Sequence, residues 1–268
     1  DREHTLPLEK RPQGIMERMN NNRKPLEGVY NIIRFNWHFY AYSIPLILFI
    51  AYMGWYFSGV VSILHFTAAA LAALSIVISL LVSWYIYDSS NLYTLNWLDG
   101  FDIPQNKRIA NINAGFDETS TLIQNKYQGS VLEVFDFYDP KKHTEISIER
   151  ARKAYPPYPG TIQIDTGNLL LEKEIYDIIF LILSVHEIRD NSERIRFFSQ
   201  LKASLKPNGR IIIVEHQRDI VNFLAFNIGF LHFHSPDTWL ENFRSAGLKV
   251  AEAKKLTPFL NIYSLAKS

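Results

Sequence analysis

The chain contains no charged residue between Arg34 and Asp88, although 21% of all its residues are charged. A helix rises about 1.5 Å per residue, so about 20 apolar residues cross a bilayer. The uncharged stretch is long enough for two such crossings, and we expect membrane helices near Trp37–Phe57 and Ser62–Tyr87. The alternative is a buried helical hairpin in a soluble core, but core helices of this length normally keep a polar face.

The break between the two spans is expected at Gly54 and at the pair Ser58-Gly59. His65 lies inside the uncharged stretch, near this break. A histidine at membrane depth usually faces protein or water, but a place at the membrane interface without a function fits His65 equally well.

Seven basic residues precede the first span, and a two-span hairpin returns the chain to the side that it left. The positive-inside rule therefore predicts a bacterial-type cytoplasmic membrane with both the N-terminus and the C-terminal domain in the cytoplasm. We divide the chain into a polar arm (1–33), a transmembrane hairpin (34–90) and a folded domain (91–268). The arm is suited to packing on a partner subunit or on the membrane surface. The basic residues are Arg2, Lys10, Arg11, Arg18, Arg23, Lys24 and Arg34.

Composition excludes two classes of protein. The chain has no cysteine, which excludes a secreted disulfide scaffold. Its net charge of +1 argues against nucleic acid as a partner.

In the C-terminal domain, short β-rich runs alternate with helical stretches. This pattern predicts an α/β fold with a doubly wound, mostly parallel sheet covered by helices on both faces. The apolar run Tyr176–Leu183 is bounded by polar residues and is typical of a central strand buried on both faces. Pro207-Asn208-Gly209 is expected to turn the chain into a strand from Arg210 to Val214.

The stretch from Tyr176 to Glu215 resembles class I S-adenosylmethionine-dependent methyltransferases. The resemblance lies in a buried strand that begins Tyr176-Asp177, a short histidine-containing loop at 184–188, and Leu205-Lys206-Pro207-Asn208-Gly209 before an aliphatic strand that ends at Glu215. It implies a Rossmann-like methyltransferase fold over roughly 106–267 and S-adenosylmethionine as the cofactor.

The cofactor turn departs from the pattern of that family, D/E-x-G-x-G-x-G. The corresponding residues here are Asn111-Ile112-Asn113-Ala114-Gly115-Phe116-Asp117, in which only Gly115 is kept. Glycine allows a positive φ and a close approach of the ligand to the backbone. Asn113 tolerates a left-handed conformation, whereas Asp117 adds bulk and charge. The resemblance implies that Asn113 and Gly115 contact the cofactor.

The resemblance also assigns Asp136, at the end of the second strand, to the ribose hydroxyls, which need an acceptor. Asp139 is a competing choice, and a cap of a helix or turn is the structural alternative for Asp136. Asp165, after the third strand, matches the residue that meets the adenine amino group. An Asx turn with Gly167 or Asn168 explains Asp165 nearly as well.

Polar residues follow the fourth and fifth strands, where doubly wound sheets bind ligands. His186 and His216 are candidate general bases, because histidine titrates near neutrality. The alternative is a salt-bridged network, with pairs His186-Glu187 and Arg218-Asp219, that only joins the two loops. The accompanying residues of the expected loop network are Glu187, Glu215, Arg218 and Asp219.

We expect no metal, because His186-Glu187 lacks the second histidine four residues on, and His232 and His234 show no zinc-site spacing with a carboxylate. The aromatic-rich segment 222–239 is interpreted as a lid over a hydrophobic acceptor, a segment that dips toward the bilayer, or a core helix.

Two hypotheses for function follow. The first is a membrane-anchored S-adenosylmethionine-dependent methyltransferase that acts on a quinone, pigment or lipid-like acceptor, since tethering raises the effective concentration of such a molecule. The second is a catalytically inactive, methyltransferase-like accessory subunit of a larger membrane complex, which the eroded glycine turn favours. A dinucleotide-dependent oxidoreductase is less favoured, because Gly-x-Gly-x-x-Gly is absent.

Overall fold

A computed structural model of the chain describes residues 23–101, 103, 105–143 and 145–268. Most of the predicted polar arm lies outside these residues. Helix α1 (Glu27–Phe35) is followed, after Asn36, by α2 (Trp37–Tyr56) and α3 (Gly59–Trp84), which continues as a π-helical turn (Tyr85–Ser89). Both α2 and the helix that includes α3 are long and apolar enough to cross a membrane, and only 6% and 11% of their apolar windows are buried.

The connection between α2 and α3 corrects one expectation. Gly54 does not break the helix but lies inside α2, where a Cβ atom would meet the Cβ of His65 and the ring of Phe66, each at 3.2 Å. It allows the two helices to approach closely. The break is at Ser58-Gly59, where Gly59 has a φ of +63°.

The folded part is a seven-stranded sheet in the order β3-β2-β1-β4-β5-β7-β6. Neighbouring strands among β1 to β5 run parallel, and β7 is antiparallel to both β5 and β6. This confirms the predicted α/β class with a mostly parallel sheet. The strands are β1 (Arg108–Asn113), β2 (Val131–Asp136), β3 (Ile162–Gln163), β4 (Tyr176–Ile182), β5 (Leu205–His216), β6 (Leu248–Thr257) and β7 (Leu260–Lys267).

Five helices accompany the sheet in the part of the chain that the structure describes. Helix α6 begins after Asp190, whose carboxylate accepts the N–H of Glu193 at 2.7 Å, a standard N-cap. The helices are α4 (Ser120–Lys126), α5 (Ile146–Ala154), α6 (Asn191–Ser204), α7 (Ile220–Phe226) and α8 (Pro236–Ser245); short 3₁₀ turns occupy Asn96–Phe101, Val185–Glu187 and Asn227–His232.

Two hydrophobic cores cover the two faces of the sheet. On β4, Ile179 and Leu181 belong to one core, with the aromatic rings of α6 and α8. Ile178 and Phe180 belong to the other, which the end of the α2–α3 hairpin and the segment 92–101 cover. Strand β4 is thus buried on both faces, as its apolar run predicted.

The predicted turn Pro207-Asn208-Gly209 lies within β5 rather than before it. Leu205 pairs with Tyr176 and Arg210 pairs with Ile178, so the residues between Leu205 and Arg210 bulge opposite the single residue Asp177. A Cβ on Gly209 would meet the carbonyl oxygen of Tyr176 at 2.9 Å. The bulge therefore requires the glycine, and the strand starts earlier than expected.

Candidate active site

The turn after β1 is held by its own side chains. Asn113 Oδ1 accepts a hydrogen bond from the N–H of Gly115 at 2.9 Å, and Gly115 has a φ of +99°, which favours glycine. Asp117 Oδ1 accepts the N–H groups of Thr119 and Ser120 at 3.0 and 2.9 Å. Asp117 therefore caps the start of α4. The contact of Asn113 and Gly115 with a cofactor stays a prediction.

The space beside Gly115 is occupied by Arg152 of α5 and by Tyr138. A Cβ on Gly115 would meet Arg152 Nη1 and Tyr138 Cβ, each at 2.9 Å. Arg152 forms a short ion pair with the buried Asp136 and donates to the carbonyl oxygen of Gly115 at 3.3 Å. Its guanidinium also lies over the ring of Tyr138. The predicted ribose acceptor is thus at the expected strand end, but an arginine is bound to it.

The three carboxylates predicted near the cofactor, Asp136, Asp139 and Asp165, each accept a hydrogen bond within a local turn. Asp136 Oδ1 also accepts the N–H of Tyr138 at 2.8 Å, so Asp136 forms the turn that was its structural alternative. Asp139 accepts the N–H of Lys141 at 2.9 Å. Asp165 is exposed and accepts the N–H of Gly167 at 2.7 Å, which is the Asx turn named as its alternative.

After β4 and β5, the predicted residues Glu215 and His186 come together. Glu215 is fully buried at the end of β5. Its Oε1 accepts the backbone N–H groups of Ser184 and Val185 at 3.0 and 2.7 Å, and its Oε2 lies 2.7 Å from His186 Nδ1. Three contacts to one carboxylate fix both the loop after β4 and the plane of the His186 imidazole.

A second imidazole, His232, joins this cluster from the 3₁₀ turn after α7. His232 Nε2 lies 3.2 Å from Glu187 Oε1, and the same Oε1 lies 3.3 Å from His186 Nε2. On its other side, His232 Nδ1 lies 2.9 Å from Glu145 Oε1. The result is a continuous chain in which carboxylate and imidazole alternate: Glu215, His186, Glu187, His232, Glu145.

Charge controls protonation in this chain. Burial by itself would lower the pKa of His186, but the carboxylates of Glu215 and Glu187 outweigh burial and raise it well above 6.5. The pKa of His232 is raised in the same way, against burial, by Glu145 and Glu187. Burial would raise the pKa of Glu187, but its contacts with both imidazoles lower it strongly. The cluster therefore carries ion pairs as it stands.

His216, the other predicted base, is in a different environment. Its Nδ1 lies 3.1 Å from Asn222 Oδ1 and its Nε2 lies 3.0 Å from the hydroxyl of Tyr87. The ring stacks on Phe233 with 4.5 Å between centroids. Burial lowers the pKa of His216 to about 4, so this imidazole is neutral at pH 7.

The pair Arg218-Asp219 does not form the ion pair that the network alternative required. Arg218 donates to the carbonyl oxygens of Phe233 and Leu231 at 2.8 and 2.6 Å. Asp219 caps α7 by accepting the N–H of Asn222 at 2.8 Å. The two residues stabilise the segment that carries His232, and a direct role toward a substrate stays a prediction.

A cavity of about 280 Å³ lies between these groups, at the carboxyl ends of β1, β4 and β5. His186, His216 and His232 line it on one side, and Asn113 and other residues of the β1 turn line it on another. The cavity therefore brings Asn113 of the predicted cofactor turn together with both predicted bases, whereas Gly115, Asp136 and Asp165 do not line it.

Helix α1 forms the wall of this cavity next to the α2–α3 hairpin. Gly28, Asn31 and Phe35 line the cavity, and Asn36 follows them immediately before α2. The ring of Phe35 packs edge-on against Phe116 of the β1 turn. These contacts join the predicted arm and hairpin to the folded domain; the division at 33 and 90 stays a prediction.

Sequence reasoning missed Arg152, Glu145 and the partnership of His232 with Glu187. Arg152 is separated from Asp136 by 16 positions and His232 from Glu187 by 45. No spacing rule connects residues this far apart in the sequence. Their charge was the one property that marked them as candidates for a shared site. The sign of this cluster in the sequence is that acidic residues and histidines occur together after successive strands.

No protein-family description and no curated relative matches this sequence. Among solved structures, an S-adenosylmethionine-dependent methyltransferase from Methanosarcina mazei is 13% identical, with a TM-score of 0.48 over 63% of this chain and 96% of its own. One from Aquifex aeolicus is 14% identical, with a TM-score of 0.48 over 71% and 97%. One from Leishmania major is 14% identical, with a TM-score of 0.43 over 65% and 70%. At these values the similarity assigns no residue role to this chain.

Proposed function

We propose that this chain is a membrane-anchored, S-adenosylmethionine-dependent methyltransferase that acts on a hydrophobic acceptor such as a quinone, a pigment or a lipid-like molecule. The observation that carries the proposal is the cavity at the carboxyl ends of β1, β4 and β5, which reaches from Asn113, Ala114 and Phe116 to His186 and His216. Ligands of doubly wound sheets bind at this edge.

Access from the bilayer supports the choice of acceptor. The cavity wall runs through Phe35 and Asn36 directly into α2, and Tyr87 from the end of α3 lines the cavity as well. Helix α7 packs against α3. Its apolar side chains and those of the following 3₁₀ turn remain exposed beside the hairpin, as expected of a segment that meets lipid. These side chains are Ile220, Phe223, Leu224, Ile228 and Leu231.

The residues of the cofactor turn fit a nucleoside ligand if Arg152 moves. Gly115 supplies the positive φ, and Asp136 supplies a buried acceptor at the end of β2. Arg152 is about one-third exposed and reaches Asp136 with the flexible end of its side chain. Ribose hydroxyls can replace its guanidinium as donors to the carboxylate. In this proposal Asp136 binds ribose, Asn113 and Gly115 contact the cofactor, and S-adenosylmethionine supplies the methyl group.

His216 is the better placed of the two predicted bases. His216 Nδ1–H donates to Asn222 Oδ1, so Nε2 carries the electron pair and accepts a hydrogen bond from the Tyr87 hydroxyl beside the cavity. His186 is held between two carboxylates instead. We infer that His216, with the Tyr87 hydroxyl as its contact, accepts the proton of the acceptor. The positive-inside rule favours the cytoplasmic side for this chemistry.

Calorimetric titration of the full chain in detergent micelles with S-adenosylhomocysteine tests the cofactor site. We expect saturable heat for the wild type, loss of that heat in Asp136→Ala, and binding about three- to tenfold tighter in Arg152→Ala, because the competing ion pair, about 1 kcal/mol in a partly exposed setting, is removed. Glu149→Gln, an exposed change on the same helix, is the matched control and leaves the affinity unchanged. Thermal unfolding verifies that each variant is folded.

The second candidate is a catalytically inactive accessory subunit of a membrane complex. The observation that favours it is the Arg152–Asp136 ion pair, which fills the place beside Gly115 where a cofactor would lie. In that case neither the wild type nor Arg152→Ala gives heat with millimolar S-adenosylhomocysteine. Such a result refutes the methyltransferase proposal and leaves the accessory function.

A further inference from the structure

We propose that His186, Glu187 and His232 bind one divalent transition-metal ion on the wall of the cavity. One ligand atom of each residue lies within 4.8 Å of the others. Both imidazole Nε2 atoms converge on the same carboxylate oxygen, Glu187 Oε1, at 3.3 and 3.2 Å. Two imidazoles and one carboxylate with open positions form a set that binds Fe²⁺, Zn²⁺ and similar ions. This proposal does not depend on methyl transfer.

The outer contacts of the two histidines are those of metal ligands. Glu215 lies 2.7 Å from His186 Nδ1, and Glu145 lies 2.9 Å from His232 Nδ1. A histidine that binds a metal through Nε2 usually donates its Nδ1–H to a carboxylate, which fixes the tautomer and the ring orientation. Both imidazoles here have such a carboxylate on Nδ1, and both present Nε2 to the common point.

The site is built rather than incidental. The side chains of His186 and Glu187 are 12% and 7% exposed, and that of His232 is 24% exposed. Glu215 is fixed by the backbone N–H groups of the loop that carries His186. His232 is placed by Arg218, which bonds the carbonyl oxygens of the neighbouring Leu231 and Phe233. The ligands are therefore oriented by the fold before any ion arrives.

The charge of the surroundings also suits a cation. The chain of five groups contains three carboxylates and two imidazoles, and the guanidinium of Arg189 lies at its outer edge, 3.5 Å from His232 Nδ1. A divalent ion bound here has its remaining positions toward the cavity, where water or an oxygen atom of an acceptor can complete the coordination.

The spacing of these three residues along the sequence did not predict that they converge. The absent second histidine four residues after His186-Glu187 argued against a metal, because that spacing serves ligands on one helix. The fold supplies the second imidazole from a segment 45 positions beyond Glu187, brought back by the connection between β5 and α8.

Titration of the full chain in detergent micelles with Zn²⁺, in competition with a chromophoric chelator, tests the site. We expect one Zn²⁺ per chain, with the affinity falling at least about 100-fold in Glu187→Gln and in His232→Gln, and about 10- to 100-fold in Glu145→Gln, whose carboxylate only orients His232. His143→Gln is the matched control, since His143 lies near carboxylates in the same domain but offers no convergent ligands, and it keeps the wild-type affinity.

Co²⁺ absorption gives an independent readout. Bound Co²⁺ is expected to show visible bands of a four- or five-coordinate nitrogen–oxygen site that Glu187→Gln abolishes. Thermal unfolding of each variant without metal establishes that it folds. If Glu187→Gln does not fold, His232→Gln replaces it as the variant that removes a ligand. Substoichiometric Zn²⁺, or the same affinity in wild type, Glu187→Gln and His232→Gln, overturns the proposal and leaves an ion-pair network. The metal titration contains no nucleoside, so its result is independent of whether the chain binds S-adenosylhomocysteine.

Discussion

Asp88, at the end of the α2–α3 hairpin, binds the start of α1 at the cavity wall. Its two carboxylate oxygens accept the N–H groups of Gly28 and Val29 at 2.7 and 2.8 Å. These N–H groups belong to the first turn of α1, which has no side-chain cap of its own. Asp88→Ala should therefore release the start of α1 from the hairpin and open the cavity wall.

The magnitude follows from the groups involved. Hydrogen bonds to a charged acceptor contribute about 1.5–3 kcal/mol each, and a carboxylate at a helix N-terminus adds about 0.3–1 kcal/mol. Water can solvate the freed N–H groups at this partly exposed position, so we expect roughly 2–3 kcal/mol in total. That difference raises the local opening equilibrium of α1 about 30- to 150-fold.

Hydrogen–deuterium exchange of the full chain in micelles, followed by mass spectrometry, measures this opening. Peptides covering Glu27–Phe35 should exchange faster by that factor in Asp88→Ala and by a smaller factor in Asp88→Asn, which keeps one acceptor. Gly28→Ala provides a steric route to the same state, because its Cβ would lie 2.4 Å from the Cβ of Tyr87. Peptides from α6 serve as the internal control.

Unchanged exchange in α1 for both Asp88→Ala and Gly28→Ala would refute the reasoning, since it would mean that contacts elsewhere hold the helix. Faster exchange throughout the chain, α6 included, would indicate global destabilisation rather than release of the cavity wall.

Two further predictions concern stability. Burial lowers the pKa of His143, and its Nδ1 accepts the N–H of Asp139 at 2.9 Å, so the neutral imidazole stabilises the fold. This stabilisation is complete above pH 6.5 and is lost as the pH falls below that value. The melting temperature of wild type should drop more than that of His143→Gln between pH 7.5 and 5.5, and equal drops would contradict this. Glu118 is paired with Arg23 at 2.8 Å and with the Tyr93 hydroxyl at 2.5 Å, and its side chain is 22% exposed. Arg23→Met leaves this partly buried carboxylate without its cation and should cost about 2 kcal/mol. The added change Glu118→Gln should recover much of the melting temperature, and no recovery would show that the ion pair is not the cause.

Local sequence patterns determined the elements of this protein. The uncharged stretch after Arg34 predicted two long apolar helices, and the run Tyr176–Leu183 predicted a strand buried on both faces. The carboxylates of Asp117, Asp190 and Asp219 likewise cap helices within three residues of themselves. Such features depend on periodicity, length and turn chemistry, which neighbouring residues carry.

Only the tertiary structure decided which polar groups meet. The ion pair of Arg152 with Asp136, the convergence of His186 and His232 on Glu187, and the closure of the cavity by Phe35 each join separate elements. Their positions depend on how helices pack over the sheet edge and on where the hairpin rests against the folded domain. Charge and burial then select the partners, because a buried polar group is costly unless another group satisfies it. Long-range packing supplies that partner, and the spacing of residues along the chain does not predict which residue it is.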